Sequence, residues 1–175
     1  MTEGVRVVVI AVGNPSRGDD ALGPLLLERI AARFGEVVAV ADFQLQIEHA
    51  LLLEEADLAL FIDAATGLEA SCAFDEIGPE RAATPLTHAL APQAVLGVFE
   101  RIAQRAPPPA FVLGLRAAHF GLGEAPSAAA REALAEGWRL AGELLADARP
   151  ARWRAVVAAR GGAGQWCGSG NSSAR

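Results

Sequence analysis

The chain has 175 residues, 52% of them hydrophobic and 21% charged, enough for one folded domain with a sizeable core and too few for two. No run approaches the ~18 apolar residues of a membrane-spanning helix, and two isolated cysteines, Cys72 and Cys167, supply neither a disulfide framework nor a CxxC metal knot. All 15 basic residues are arginine and five of them follow the last acid, so the net charge of −6 divides into 10 − 21 = −11 over residues 1–148 and a basic end, a poor balance for binding nucleic acid.

The opening MTEGVRVVVIAVGN lacks the basic start and small-residue cleavage site of a secretory signal, so a cytoplasmic protein is expected. Within it, VRVVVIAV (5–12) is a β-branched run of the kind buried on both faces of a parallel sheet. The turn GNPSRGDD leads into ALGPLLLERIAARF, which has helical periodicity and ends at Gly35. EVVAVADF is a second strand, QIEHALLLEEA a short helix, and DLALFIDAA a third, very apolar strand. ASCAFDEI alternates and follows without an intervening helix, as an antiparallel member of a mixed sheet would. PQAVLGVFERIAQR is helical and PPP (107–109) stops it; AFVLGL is the last strand. The closing helix SAAAREALAEGWRLAGELLADA begins at Ser127, a good N-cap.

Strands alternating with helices predict an α/β three-layer sandwich: a twisted, mostly parallel sheet of about five strands with helices on both faces. The domain is expected to span 1–148. Residues 149–175, which finish in GGAGQWCGSGNSSAR, read as a disordered Gly/Ser/Arg-containing tail.

In open α/β sheets ligands collect beyond the carboxyl ends of the strands. Asp19 and Asp20 follow the first strand there, Asp63 ends LALFID, and His88 lies in the loop TPLTHALAP. Each has a plainer reading alone: an acid opening a helix is a cap, and a loop histidine is usually just hydrogen-bonded. Together, the Asp19–Asp20 pair, Asp63 and His88 offer two carboxylates and an imidazole to a divalent transition ion, in a site with positions left over. His49 and His119 are alternative nitrogen donors. The glycine turn sits where a phosphate cradle would, but lacks GxGxxG, and without any lysine a P-loop is excluded. No GxSxG elbow is present for a serine hydrolase.

In order along residues 5–147, GNPSRGDDALGP, FIDAA, THALAPQAVLGVFERI and HFGLGEAPSAAAREAL resemble the successive signatures of the hydrogenase maturation proteases; DFQLQIEHALLL resembles the segment after their second strand. Two departures stand out: Ala21 where many members have glycine, and GEAPS where a leucine–serine pair is commoner. The resemblance implies a helix-flanked twisted sheet and an endopeptidase that removes a C-terminal peptide from the precursor of a NiFe hydrogenase large subunit. It implies that Asp20, Asp63 and His88 are both the metal ligands and the catalytic residues, and that they read nickel carried by the precursor. Asp19 becomes a supporting group, with helix capping its expected role; Gln44 and Glu48 are assigned no part in catalysis. The chain is expected to act as a monomer on that precursor, with neither nucleic acid nor membrane as partner. The competing readings are a non-enzymatic, nickel-sensing assembly partner of the precursor and a nucleotide-binding domain using GNPSRGDD as an anion turn.

Overall fold

The computed structural model describes residues 4–80 and 90–161. Among these, the strands are Val7–Val12 (β1), Val38–Asp42 (β2), Leu58–Ala65 (β3), Cys72–Ile77 (β4) and Ala110–Arg116 (β5). The α-helices are Leu22–Arg33 (α1), Pro92–Ala103 (α2), Ala128–Ala146 (α3) and Pro150–Ala159 (α4), with 3-10 helices at Gly18–Ala21 and Ile47–Leu53.

The sheet order is β2-β1-β3-β5-β4. All pairings are parallel except β4 with β5. The mixed sheet expected from the sequence is therefore present. Its antiparallel member arises because the link from β3 to β4 is too short for a parallel crossover. β1 is buried along its whole length, and its side chains divide by the two-residue period of a strand. Val7, Val9 and Ala11 pack under α1, α3 and α4; Val8, Ile10 and Val12 pack under α2 and the second 3-10 helix. Helices thus cover both faces, as the three-layer reading requires.

Ser127 caps α3 as expected, its Oγ accepting from the Ala130 N–H at 3.1 Å. Pro92 sits in the first turn of α2, where a missing N–H costs nothing.

The domain boundary at residue 148 needs correction. Residues 150–159 form α4, and Trp153 is fully buried in the core. Its ring stands edge-on to Phe111 at 5.2 Å and to Phe74 at 6.1 Å, and its Nε1 donates to the Leu144 carbonyl at 2.8 Å. Arginines that read as the start of a loose basic tail instead pair with acids of the folded body. Arg152 bonds Glu143 at 2.7 Å, Arg154 bonds Glu76 at 2.7 Å, and Arg160 approaches Glu136 at 3.5 Å and the Cys72 sulfur at 3.2 Å. Just before the helix, Arg149 pairs with Asp147 at 2.5 Å. The helix was hidden because its sequence has little amphipathic periodicity; one indole, rather than a stripe, anchors it. Residues 162–175 lie outside the described residues.

Candidate active site

The carboxyl ends of β1, β2 and β3 form one rim of the sheet, and acidic residues lie on all three. Asp20 belongs to the 3-10 turn Gly18–Ala21 between β1 and α1. Its Oδ2 accepts the Asn14 N–H at 2.8 Å, so the carboxylate is folded back onto the turn that carries it. Gly13 makes this possible. Its φ is +145°, and a Cβ there would collide with the Asp20 carbonyl oxygen. Further along, a Cβ on Gly23 would strike the Val12 carbonyl and stand 3.4 Å from that of Ile62. The first turn of α1 therefore lies across the ends of β1 and β3, and brings the Asp20 turn to the strand bearing Asp63.

Asp63 does not end its strand, as the apolar run suggested; β3 continues to Ala65. The paired stretch with β1 stops at Ile62, so Asp63 stands where β3 outruns its neighbour. Strand alternation puts it on the face of Ala59 and Phe61, the α2 side. Its partner in β5 is Gly114, which has no side chain to crowd it. The carboxylate is half-buried.

His88 lies outside the described residues. Among those described, no three His, Cys, Asp or Glu side chains gather as a metal site.

Asp19 departs from its expected role as a helix cap. Neither the 3-10 turn nor α1 has a side-chain N-cap. Asp19 is instead fully buried and ties the turn to the loop after β5. Its Oδ2 accepts from the Ala118 N–H at 2.9 Å, the His119 N–H at 3.0 Å and the Ser127 hydroxyl at 3.0 Å; its Oδ1 accepts from the Ser127 N–H at 2.7 Å. Burial disfavours its charge, but these four bonds outweigh that and hold the carboxyl below the usual aspartate range. The backbone extends the seam, with Asp19 N–H to His119 O at 2.7 Å, Gly18 N–H to Glu124 O at 3.1 Å and Gly123 N–H to Ser16 O at 2.7 Å. The loop from 118 to 127 and the Asp20 turn therefore behave as one piece.

This hydrogen bonding also disposes of the anion-turn reading. From Gly13 to Asp20 every backbone N–H is already donated within the protein: to Asp42 O, Asp20 Oδ2, Asn14 Oδ1, Asn14 O, Glu124 O, His119 O and Arg17 O, with Pro15 having none. A phosphate would find no backbone N–H of this turn free.

His49 serves another purpose. Its Nδ1 accepts the Gln46 N–H at 2.9 Å, which leaves the proton on Nε2, 3.5 Å from Asp42 Oδ2. Both nitrogens are thus engaged in fixing the 3-10 helix to the end of β2. Asp42 is a further acid on this rim, the last residue of β2. Its carbonyl accepts the Gly13 N–H at 3.0 Å, and its side chain meets Phe43 N–H and Gln46 Nε2. His119 is exposed, and its backbone serves the seam with Asp19.

No family model matches the chain, and no curated protein does. Solved structures do match. The NiFe hydrogenase maturation protease HycI from Thermococcus kodakarensis superposes with a TM-score of 0.64 at 23% identity, over 83% of this chain and 96% of that one. The hydrogenase maturating endopeptidase HybD from E. coli gives 0.60 at 16% identity, over 80% and 92%. The hydrogenase 2 maturation peptidase from a Thaumarchaeota archaeon gives 0.58 at 18% identity, over 81% and 98%. The fold is that of hydrogenase maturation proteases.

Proposed function

We propose that this protein is a hydrogenase maturation endopeptidase, which removes a C-terminal peptide from the nickel-loaded precursor of a NiFe hydrogenase large subunit. The observation that carries the reading is the likeness in fold to such proteases along almost their whole length, with Asp20 and Asp63 on the carboxyl rim of the sheet. The sequence signature containing His88 adds the third group.

Nickel belongs to the substrate in this reading. Two carboxylates and one imidazole suit a borderline divalent ion, and three protein donors leave coordination positions for the groups the precursor brings. Such a donor set is too sparse to retain much metal alone, so it tests whether the incoming chain carries its ion. Bound there, nickel supplies Lewis acidity next to the scissile peptide. The Asn14 N–H orients the Asp20 carboxylate, and the seam through Asp19 keeps the turn beneath it in place.

The test mixes purified protein with precursor, with and without inserted nickel, and reads the products by mass spectrometry. A single C-terminal cut confined to the nickel-loaded sample, and lost in Asp20→Asn, Asp63→Asn and His88→Ala, is the expected result. Stable binding of loaded precursor without cleavage would overturn it in favour of an assembly partner.

A further inference from the structure

The two edges of the sheet are treated differently. On β4, Asp75 and Glu76 place charge on the strand, and Arg154 of α4 grips Glu76 at 2.7 Å. On β2, the stretch from Val37 to Ala41 has no charge, and Val38 is 53% exposed. Among the described residues β2 pairs only with β1.

The direction of its backbone follows from one bond. Gly13 N–H donates to the Asp42 carbonyl at 3.0 Å, in the register that sets Val12 against Asp42. Along a strand the N–H and C=O of one residue point to the same side, and successive residues alternate. Val38, Val40 and Asp42 therefore bond toward β1, while Ala39 and Ala41 present their N–H and C=O groups outward. An uncharged edge of this kind is a template for another extended chain. Its ends are marked by Glu36 and Asp42, so the field along it favours a neutral or basic strand over an acidic one.

We propose that the open edge of β2 takes up an extended, neutral-to-basic segment of the protein substrate as a sixth strand of the sheet. This inference rests on the endopeptidase reading above. Peptide cleavage requires an extended chain held in register, and pairing with Ala39 and Ala41 provides that without reading side chains. The edge is continuous with the site: β2 finishes at Asp42, whose carbonyl anchors Gly13 at the head of the Asp20 turn. Strands lie about 4.8 Å apart, so the added strand stands about 14 Å from β3, and about four or five extended residues separate the paired segment from Asp63.

Proline is the discriminating substitution, because it deletes an N–H and is tolerated where that N–H faces away from the ladder. Ala41→Pro is expected to melt close to wild type and to raise KM for nickel-loaded precursor about tenfold. In the wild type, the Ala39 and Ala41 amides are expected to exchange freely alone and slowly with precursor bound, while Val38 and Val40 are protected throughout. Unchanged KM in a folded Ala41→Pro, or unaltered exchange at Ala39 and Ala41, overturns the proposal. Should that variant fail to fold, the exchange experiment on wild type decides alone. If wild type binds the precursor without cutting it, the endopeptidase reading fails, and exchange at these two amides still decides the edge.

Discussion

Asp19 and Ser127 lie 108 positions apart in sequence and share two hydrogen bonds, one from the serine N–H at 2.7 Å and one from its hydroxyl at 3.0 Å. That hydroxyl also accepts from Ala130 N–H, so a single side chain caps α3 and donates a hydrogen bond to Asp19.

Asp19→Asn replaces an acceptor-only group by one with two donors, facing three backbone N–H donors that cannot turn away and one hydroxyl that can. A loss of roughly 2–4 kcal/mol of stability is expected, because buried donors without partners cost about 1–3 kcal/mol each and the site relaxes in part. Ser127→Ala keeps the backbone bond and should lose less, about 1–2 kcal/mol. Urea denaturation of the two variants gives the comparison; equal losses would contradict the network as described.

Acid should attack the same point. The folded Asp19 carboxyl lies below the ordinary value of 3.8, so it is more acidic in the folded than in the unfolded chain. Its stabilisation is complete above that value and drains away as pH falls through the folded one. The stability gap between wild type and Asp19→Asn is therefore expected to narrow as pH falls through 3.8 and below. A gap that stays constant over this range would show that Asp19 is not linked to proton uptake.

Gly13→Ala tests the turn from its other end. The residue must adopt a φ of +145° and would overlap the Asp20 carbonyl, so the turn has to shift. The expected cost is about 1–3 kcal/mol, with cleavage falling further than stability because Asp20 moves with it. Thermal melting alongside the precursor assay separates the two effects. Full activity in a folded Gly13→Ala would mean that the position of Asp20 is not critical.

Truncation after residue 148, harmless if only a loose tail followed, removes Trp153 and its contacts with Phe74, Phe111 and Leu144. It should destabilise severely. Trp153→Ala alone is expected to cost about 3–5 kcal/mol, read as a drop in the urea midpoint.

Much of this architecture was legible because it follows from periodicity. β1 and β3 were apparent as continuous β-branched or apolar runs, and β4 as an alternating one. Ser127 announced the start of α3. What escaped was information spread over distant segments. Asp19 looks like a cap because capping acids sit at helix starts, and only the fold brings residues 118–127 to it. The α4 helix escaped for a related reason: its hold on the core is one indole meeting strands from two other parts of the chain. Of the candidate site, Asp20 could be picked out by its place just after β1, and Asp63 by its place near the carboxyl end of an apolar run. Asp42 occupies a comparable place on β2, but its following segment drew attention to His49, whose nitrogens are both already engaged.

The arginines around α4 have a consequence for how the molecule looks electrically from outside. Exposed ion pairs such as those of Arg149, Arg152 and Arg154 add little to stability. They do cancel charge locally: these three arginines meet Asp147, Glu143 and Glu76, and Arg160 approaches Glu136. A sequence with a strongly negative body and a positive end thus folds with most of that positive charge neutralised at close range. The outward field is that of a polyanion. Any positively charged macromolecule is drawn toward such a surface over about one Debye length, an attraction that weakens as salt is added.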